Sequence, residues 1–182
     1  MLSDVIETPR LRLRLHTRAD GPDVLAMMRD AETRRWNPGR VIGNDVDDLA
    51  SAVAWSLDTA DWADGTHASF AFADIETGRY AGSVSVHSVD AEHHDAEIGY
   101  RTAPWARGRG FAREAVTAAT GWAFENLALV RIELAHAVAN AASCAVATRS
   151  GYALEGVLRQ SFIYGDGIRY DEHLHARLLT DR

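Results

Sequence analysis

The chain has 182 residues, 47% hydrophobic and 25% charged, the values of an ordinary globular protein and a length that suits one domain over 1–182. A chain of this size buries roughly two-thirds of the surface it exposes when unfolded, so it needs no metal staple, and its single cysteine, Cys144, excludes an internal disulfide. With 19 basic residues, all arginine, against 26 acidic ones the formal charge is −7, which argues against a nucleic-acid backbone as the main ligand.

The opening MLSDVIETPRLRLRLH places charges where a signal peptide needs an apolar core, and no window approaches the roughly 20 apolar residues of a membrane span. A reducing cytoplasm is the expected location. Residues 1–99 hold 18 acids and 9 arginines, a balance of −9, whereas residues 100–182 hold 8 and 10, a balance of +2. Either the two halves face different partners or the first simply carries a solvated acidic surface.

Residues 10–16 alternate, with Leu11, Leu13 and Leu15 on one face, as a half-buried strand requires. Residues 19–30 repeat Val24, Leu25 and Met28 at helical spacing, with Pro22 in the first turn, and Asn37-Pro38-Gly39 breaks the chain. A second helix is predicted over about 45–61, where Leu49, Val53 and Leu57 stand four apart. Strands follow at 67–75, 79–89 and 95–102. Residues 110–127 set Phe111, Ala115, Ala118 and Trp122 on one helical stripe, small enough for close approach to a sheet. A buried strand at 130–137 precedes a short helix at 140–150, capped by Asn140 and stopped by Gly151. Two last strands, about 152–164 and 169–179, flank Gly165-Asp166-Gly167. The predicted order βααβββαβαββ has seven strands and four helices, an α+β arrangement.

The most specific local feature is Arg107-Gly108-Arg109-Gly110-Phe111-Ala112, which follows a strand and opens a helix. Small residues at 108, 110 and 112 let the backbone approach a ligand, the first-turn N–H groups are unpaired, and the helix dipole adds about half a positive charge. The turn therefore reads as an anion site. It is neither the dinucleotide fingerprint nor a P-loop, because the third glycine and the Gly-Lys-Ser are missing.

These six residues resemble the signature of the GNAT acyltransferases, with Arg107, Gly110 and Ala112 at the matching positions. Glu7-Thr8-Pro9-Arg10-Leu11-Arg12-Leu13, Ala96-Glu97-Ile98-Gly99-Tyr100, Asn140-Ala141-Ala142-Ser143, Gly151-Tyr152-Ala153-Leu154-Glu155-Gly156 and Asp171 are similar to the RimJ/RimL group of that family, the ribosomal-protein N-terminal acetyltransferases. The resemblance implies the GNAT fold, a twisted mixed sheet whose central strands splay apart, with acetyl-coenzyme A as co-substrate and no metal. It places pyrophosphate on the backbone of Gly108 to Ala112 with Arg107 and Arg109, and pantetheine along Tyr100, Arg101 and Thr102 as an added strand. A strand N–H would stabilise the oxyanion while the amine attacks the thioester directly.

The tyrosine by which many members protonate the departing thiolate corresponds to Ala147, so the resemblance passes that role to Ser143, which equally suits ordinary capping beside Asn140. Glu97 is the first choice of general base, with Asp171, His136 and Tyr164 as alternatives, and a second carboxylate of the RimL type corresponds to Phe162. Its neighbours Ala141, Ala142 and Ala145 supply Cys144 with no activating base, so it reads as a small buried residue. His93-His94-Asp95 reads as a solvated turn rather than a metal site.

On the acceptor side the resemblance brings Trp36, Trp55 and Trp62 together with Asp58, Asp61 and Asp64, aromatic faces and carboxylates suited to an amine. The alternative is that Trp55 packs in the core and the aspartates are a solvated helix end. Expected is an N-acetyltransferase acting on a peptide N-terminus or a small amine. Its alternatives are an acyltransferase for longer acyl-coenzyme A and a non-catalytic coenzyme A-binding regulator. Dimers are common among similar proteins.

Overall fold

The computed structural model describes residues 5–37, 46–62 and 65–181. The predicted break at Pro38-Gly39 and the acceptor residue Asp64 lie outside them. The strands are β1 (Val5–Glu7), β2 (Leu11–Arg14), β3 (Ala68–Asp74), β4 (Tyr80–Asp90), β5 (Asp95–Thr102), β6 (Arg131–Ala137), β7 (Ala153–Ile163) and β8 (Arg169–Leu178). The helices are α1 (Gly21–Arg29), α2 (Ala31–Trp36), α3 (Leu49–Thr59), α4 (Phe111–Asn126) and α5 (Ala141–Arg149). The eight strands form one sheet in the order β1-β2-β3-β4-β5-β6-β8-β7. Every neighbouring pair is antiparallel except β5 and β6, which run parallel.

Two elements exceed the predicted seven strands and four helices. β1 is a three-residue edge strand, and a short helix, α2, follows the first predicted helix directly beyond Asp30, where no element was expected. That residue is extended, at ψ 136°, and its carboxylate accepts the Thr33 N–H, so it ends α1 and caps α2. The buried face of α3 also differs from the one predicted. Ala52, Trp55 and Ser56 face inward while Leu49 and Leu57 are exposed. The predicted stripe meets α1 only in part, since a Cβ on Gly21 would stand 2.6 Å from Val53 Cγ2, while Trp55 turns to His16 at 5.1 Å and to Arg101.

β3 is buried along its whole length, in a sheet on which α4 packs against β1, β2, β4 and β5 and α1 against β4, with α3 packed on α1. On α4 the inward stripe runs through Phe111, Ala115, Val116, Ala119, Trp122 and Ala123, with the predicted Ala118 only half-buried beside it. At the far edge β7 leaves Leu154, Val157, Leu158 and Ile163 in solvent. Among the described residues no helix is long and apolar enough to cross a membrane.

Candidate active site

The parallel pair at the centre of the sheet comes apart. β5 and β6 pair only at Asp95–Arg131, Ala96–Ile132 and Glu97–Glu133, yet β5 runs on to Thr102 and β6 to Ala137. Beyond Glu97 the facing edges of both strands have lost their ladder partner, which leaves backbone donors and acceptors for a ligand. The fork opens into a cleft of about 710 Å³ bordered by Tyr100 and Thr102, by the glycine-arginine turn, and by Asn140 and Ser143 at the start of α5.

The turn has the conformation its glycines allow. Gly108 and Gly110 sit at φ 74° and 78°, in the left-handed region, and Gly110 is the N-cap of α4 without any side-chain cap. The first-turn N–H groups of α4 are thus presented to the cleft. Glu114, in that first turn, accepts from the Thr8 hydroxyl at 2.6 Å, the Arg10 backbone N–H at 3.0 Å and Arg10 Nε at 2.8 Å, while Arg10 Nη1 donates to the Arg109 carbonyl at 2.8 Å. The Thr-Pro-Arg opening of the chain is therefore the brace of the turn.

The arginine side chains of the turn point elsewhere than expected. Arg107 donates to Asp30 and, at 2.8 Å, to the Thr33 hydroxyl, which ties the turn to α2. Arg109 pairs with Asp74 at 2.9 Å and lies over the Phe111 ring. Two further arginines border the cleft, Arg113 on α4 and Arg149 at the end of α5, and among the described residues neither has an ion-pair partner. Sequence reasoning missed both. Arg113 lies one turn beyond Gly110 and was within reach of the local pattern; Arg149 is brought there by tertiary structure alone.

Across the fork, the Tyr100 hydroxyl lies 3.0 Å from Ser143 Oγ. The cap of α5 is a separate contact, from Ser143 N–H to Asn140 Oδ1 at 3.0 Å. The Ser143 hydroxyl is thus left for Tyr100 and the cleft. Burial pushes the Tyr100 phenol upward, with the Ser143 contact opposing, so its hydroxyl stays protonated. Ala147, where the usual tyrosine would stand, is fully buried.

The other expected residues divide. Phe111 and Ala112 border the cleft, as does Trp36, which meets Tyr164 at 5.6 Å and Tyr170 at 5.7 Å, edge to face. Glu97 is exposed, sits at the last paired register before the fork, and faces His87 across the β4–β5 pair rather than bordering the cleft. Arg101 turns its side chain to the opposite face and lies over Trp55 at 5.8 Å. Trp55 itself is 4% exposed and belongs to the core, as does the neighbourhood of Trp62, which meets Phe70 and Trp122. Asp58 and Asp61 are exposed at the end of α3, away from the cleft.

Asp171 is also away from the cleft and serves the final hairpin. Its carboxylate accepts the Gln160 N–H at 2.7 Å where β7 bulges. A carboxylate nonetheless lies beside Phe162: Glu172 accepts from Ser161 at 2.6 Å and from the Tyr164 hydroxyl at 2.7 Å. His93 pairs with Asp90 at 3.1 Å on an exposed turn. The sequence reading of Cys144 needs correction, because helix neighbours are the wrong place to look. His136, His173 and His175 converge on its sulfur from β6 and β8.

The acetyltransferase (GNAT) domain family matches residues 10–153. The chain belongs to that family. Among relatives, it is 33% identical over 101 residues to YoaA, an uncharacterized N-acetyltransferase of Bacillus subtilis (strain 168), covering 56% of each protein. It is 36% identical over 94 residues to YdaF of the same organism, which bears the name of a ribosomal N-acetyltransferase, covering 52% of this chain and 51% of YdaF. The chain thus spans about half the length of the curated relatives it matches. Among solved structures, RimL, the ribosomal L7/L12 alpha-N-protein acetyltransferase in complex with coenzyme A, superposes with a TM-score of 0.82 at 20% identity, over 98% of this chain and 99% of that one. This likeness shows the fold, a mixed sheet of the GNAT kind.

Proposed function

We propose that this protein is an acetyl-coenzyme A-dependent N-acetyltransferase that moves the acetyl group directly to a primary amine of a peptide N-terminus or small molecule. The observation that carries this reading is one continuous cleft. It runs from the uncapped N-terminus of α4, suited to a pyrophosphate, along the unpaired edge of β5, suited to the amides of pantetheine, to the Tyr100–Ser143 hydroxyl pair.

The backbone of Gly108 to Ala112 holds the pyrophosphate, with Arg113 and Arg149 supplying the unpaired positive charge that Arg107 and Arg109 spend on carboxylates. A strand N–H at the fork stabilises the oxyanion. As the tetrahedral intermediate collapses, the C–S bond breaks and the Ser143 hydroxyl, backed by Tyr100, gives the leaving thiolate a proton. The N-terminus of α5 favours that negative charge. Glu97 and Tyr100 stand three apart on one strand, hence on opposite faces. Glu97 therefore takes the proton of an amine that enters from the face opposite the cofactor. The acceptor meets Trp36 at the edge of the cleft.

Thiol release from acetyl-coenzyme A, measured against peptide N-termini, amino acids, polyamines and amino-bearing antibiotics, with calorimetric cofactor binding alongside, tests the reading. Release with one amine class is expected. Micromolar coenzyme A binding without release on any amine would overturn the catalytic part, and no binding would overturn the whole.

A further inference from the structure

At the edge of the cleft, β6 and β8 carry three histidines on one face. His136 and His173 are direct cross-strand partners, and His175 lies two residues along β8. Cys144 reaches them from α5, and one donor atom from each of the four residues lies within 4.8 Å of the other three. The rings of His136 and His175 stack at 5.2 Å, and His173 meets both edge-on at 5.4 and 5.9 Å.

The hydrogen bonds assign the tautomers. His136 Nδ1 lies 2.9 Å from the Ala137 carbonyl and His175 Nδ1 lies 3.2 Å from the Tyr152 carbonyl. A carbonyl only accepts, so each Nδ1 carries a proton, and in this tautomer Nε2 is the nitrogen that offers a lone pair. Among the described residues neither Nε2 has a hydrogen-bond partner, nor does His173 Nδ1. Since His136 is 4% and His175 2% exposed, two of these nitrogens are buried without a partner, an arrangement that is costly unless something fills it.

We infer that His136, Cys144, His173 and His175 form a tetrahedral site for a zinc-type divalent cation, tying α5 to β6 and β8. Three imidazole nitrogens and one sulfur, with no oxygen ligand, suit a borderline-soft ion and not magnesium or calcium. Zinc with bonds of about 2.0–2.1 Å to nitrogen and 2.3 Å to sulfur holds its ligand atoms roughly 3.3–3.6 Å apart. The widest spacing here closes by about 1 Å, within reach of small side-chain rotations. The two carbonyls behind His136 and His175 already fix the rings for metal binding. Binding forms one metal–sulfur and three metal–nitrogen bonds and releases to solvent the thiol proton and any proton on the three donor nitrogens. Four protein ligands leave no open position, so the ion fastens the helix that carries Ser143 and takes no part in the acetyl transfer.

The test is titration of chelator-treated protein with cobalt(II), then zinc(II). Expected are one equivalent bound, the intense visible bands of tetrahedral cobalt with a near-ultraviolet sulfur-to-cobalt band, and their loss when zinc displaces cobalt. Cys144→Ala should lose the sulfur band and bind roughly tenfold more weakly or worse. If that variant does not fold, His173→Ala, on a half-buried residue, should weaken binding while keeping the sulfur band. Zinc should also raise the melting temperature of the native chain and not that of the variants. A pale octahedral cobalt spectrum, or a spectrum and affinity unchanged in both variants, would overturn the site and leave the exposed Asp90–His93 pair as the place of binding. These readouts do not involve acetyl transfer, so they stand or fall apart from it.

Discussion

Ser143 sits in the first turn of α5, but its hydroxyl does not cap the helix. The cap is the Asn140 side chain on the Ser143 N–H, so replacing the serine side chain removes only its contact with Tyr100. Ser143→Ala should therefore leave helix stability almost untouched and lower kcat by about a hundredfold, the lower end of the range for a general acid, with little change in coenzyme A affinity. Tyr100→Phe should give a smaller loss in kcat, because the serine hydroxyl remains. Asn140→Ala should show the opposite pattern, about 1 kcal/mol of stability lost with the chemistry intact. Steady-state kinetics together with urea melts of the three variants separate these outcomes. A native rate in Ser143→Ala would return that hydroxyl to a structural role.

At the scale of elements, the turn before α4 makes the sharpest prediction. A carboxylate at Gly110 would stand at a helix N-terminus, which favours it, and a Cβ there would meet only Arg10 Nη2, at 3.5 Å. Gly110→Glu should therefore stay folded, paying roughly 1 to 2 kcal/mol for the left-handed backbone, while coenzyme A binding, read by calorimetry, falls at least about tenfold from charge repulsion. Undiminished affinity would mean that the cofactor phosphates lie elsewhere. Asp30 offers a second test, since it caps α2 and holds Arg107. Asp30→Ala should cost about 1 kcal/mol in urea melts, and Asp30→Asn, which keeps a capping oxygen, should recover most of it.

What was legible in the sequence follows from the range of the interactions involved. The turn at 107–112 and the Asn140 cap are made by neighbours in the chain, so residue type and spacing were enough. The buried face of α3 was not legible, because it is set by distant residues, among them the His16 and Arg101 side chains that meet Trp55. Glu172 escaped notice because its partners Ser161 and Tyr164 lie on the facing strand. The surroundings of Cys144 were hidden for the same reason, being built from a strand that ends four residues before α5 begins and another at the far end of the chain. Where local signals and tertiary packing agreed, as for the alanine-rich face of α4, the correction was a single position.

For the molecule as a whole, the most sensitive buried group is His16. It is 3% exposed, neither ring nitrogen has a hydrogen-bond partner among the described residues, and Trp55 and Tyr80 pack on it at 5.1 and 6.0 Å. Burial lowers its pKa to about 4, with Asp20 opposing and the Arg14 and Arg101 charges adding to the shift. The unfolded chain takes up that proton near pH 6.5, and the folded one does not until about pH 4. Between those values the unfolded state binds more protons, so stability falls as pH falls, by up to roughly 1.4 kcal/mol per unit and about 2 kcal/mol by pH 5. Asp20 acts in a separate window. Its burial alone would raise its pKa, but the paired hydrogen bonds from Arg14, both 2.8 Å, and the Thr17 N–H prevail and lower it. Its contribution is therefore whole above about pH 4 and lost only as pH drops through its folded value. His16→Phe, which keeps an aromatic ring against Trp55, should flatten the dependence between pH 7 and 5 and leave the acid limb below pH 4 in place. Urea melts of both proteins at pH 7, 5 and 3.5 check this; parallel losses between pH 7 and 5 would assign the effect to other groups.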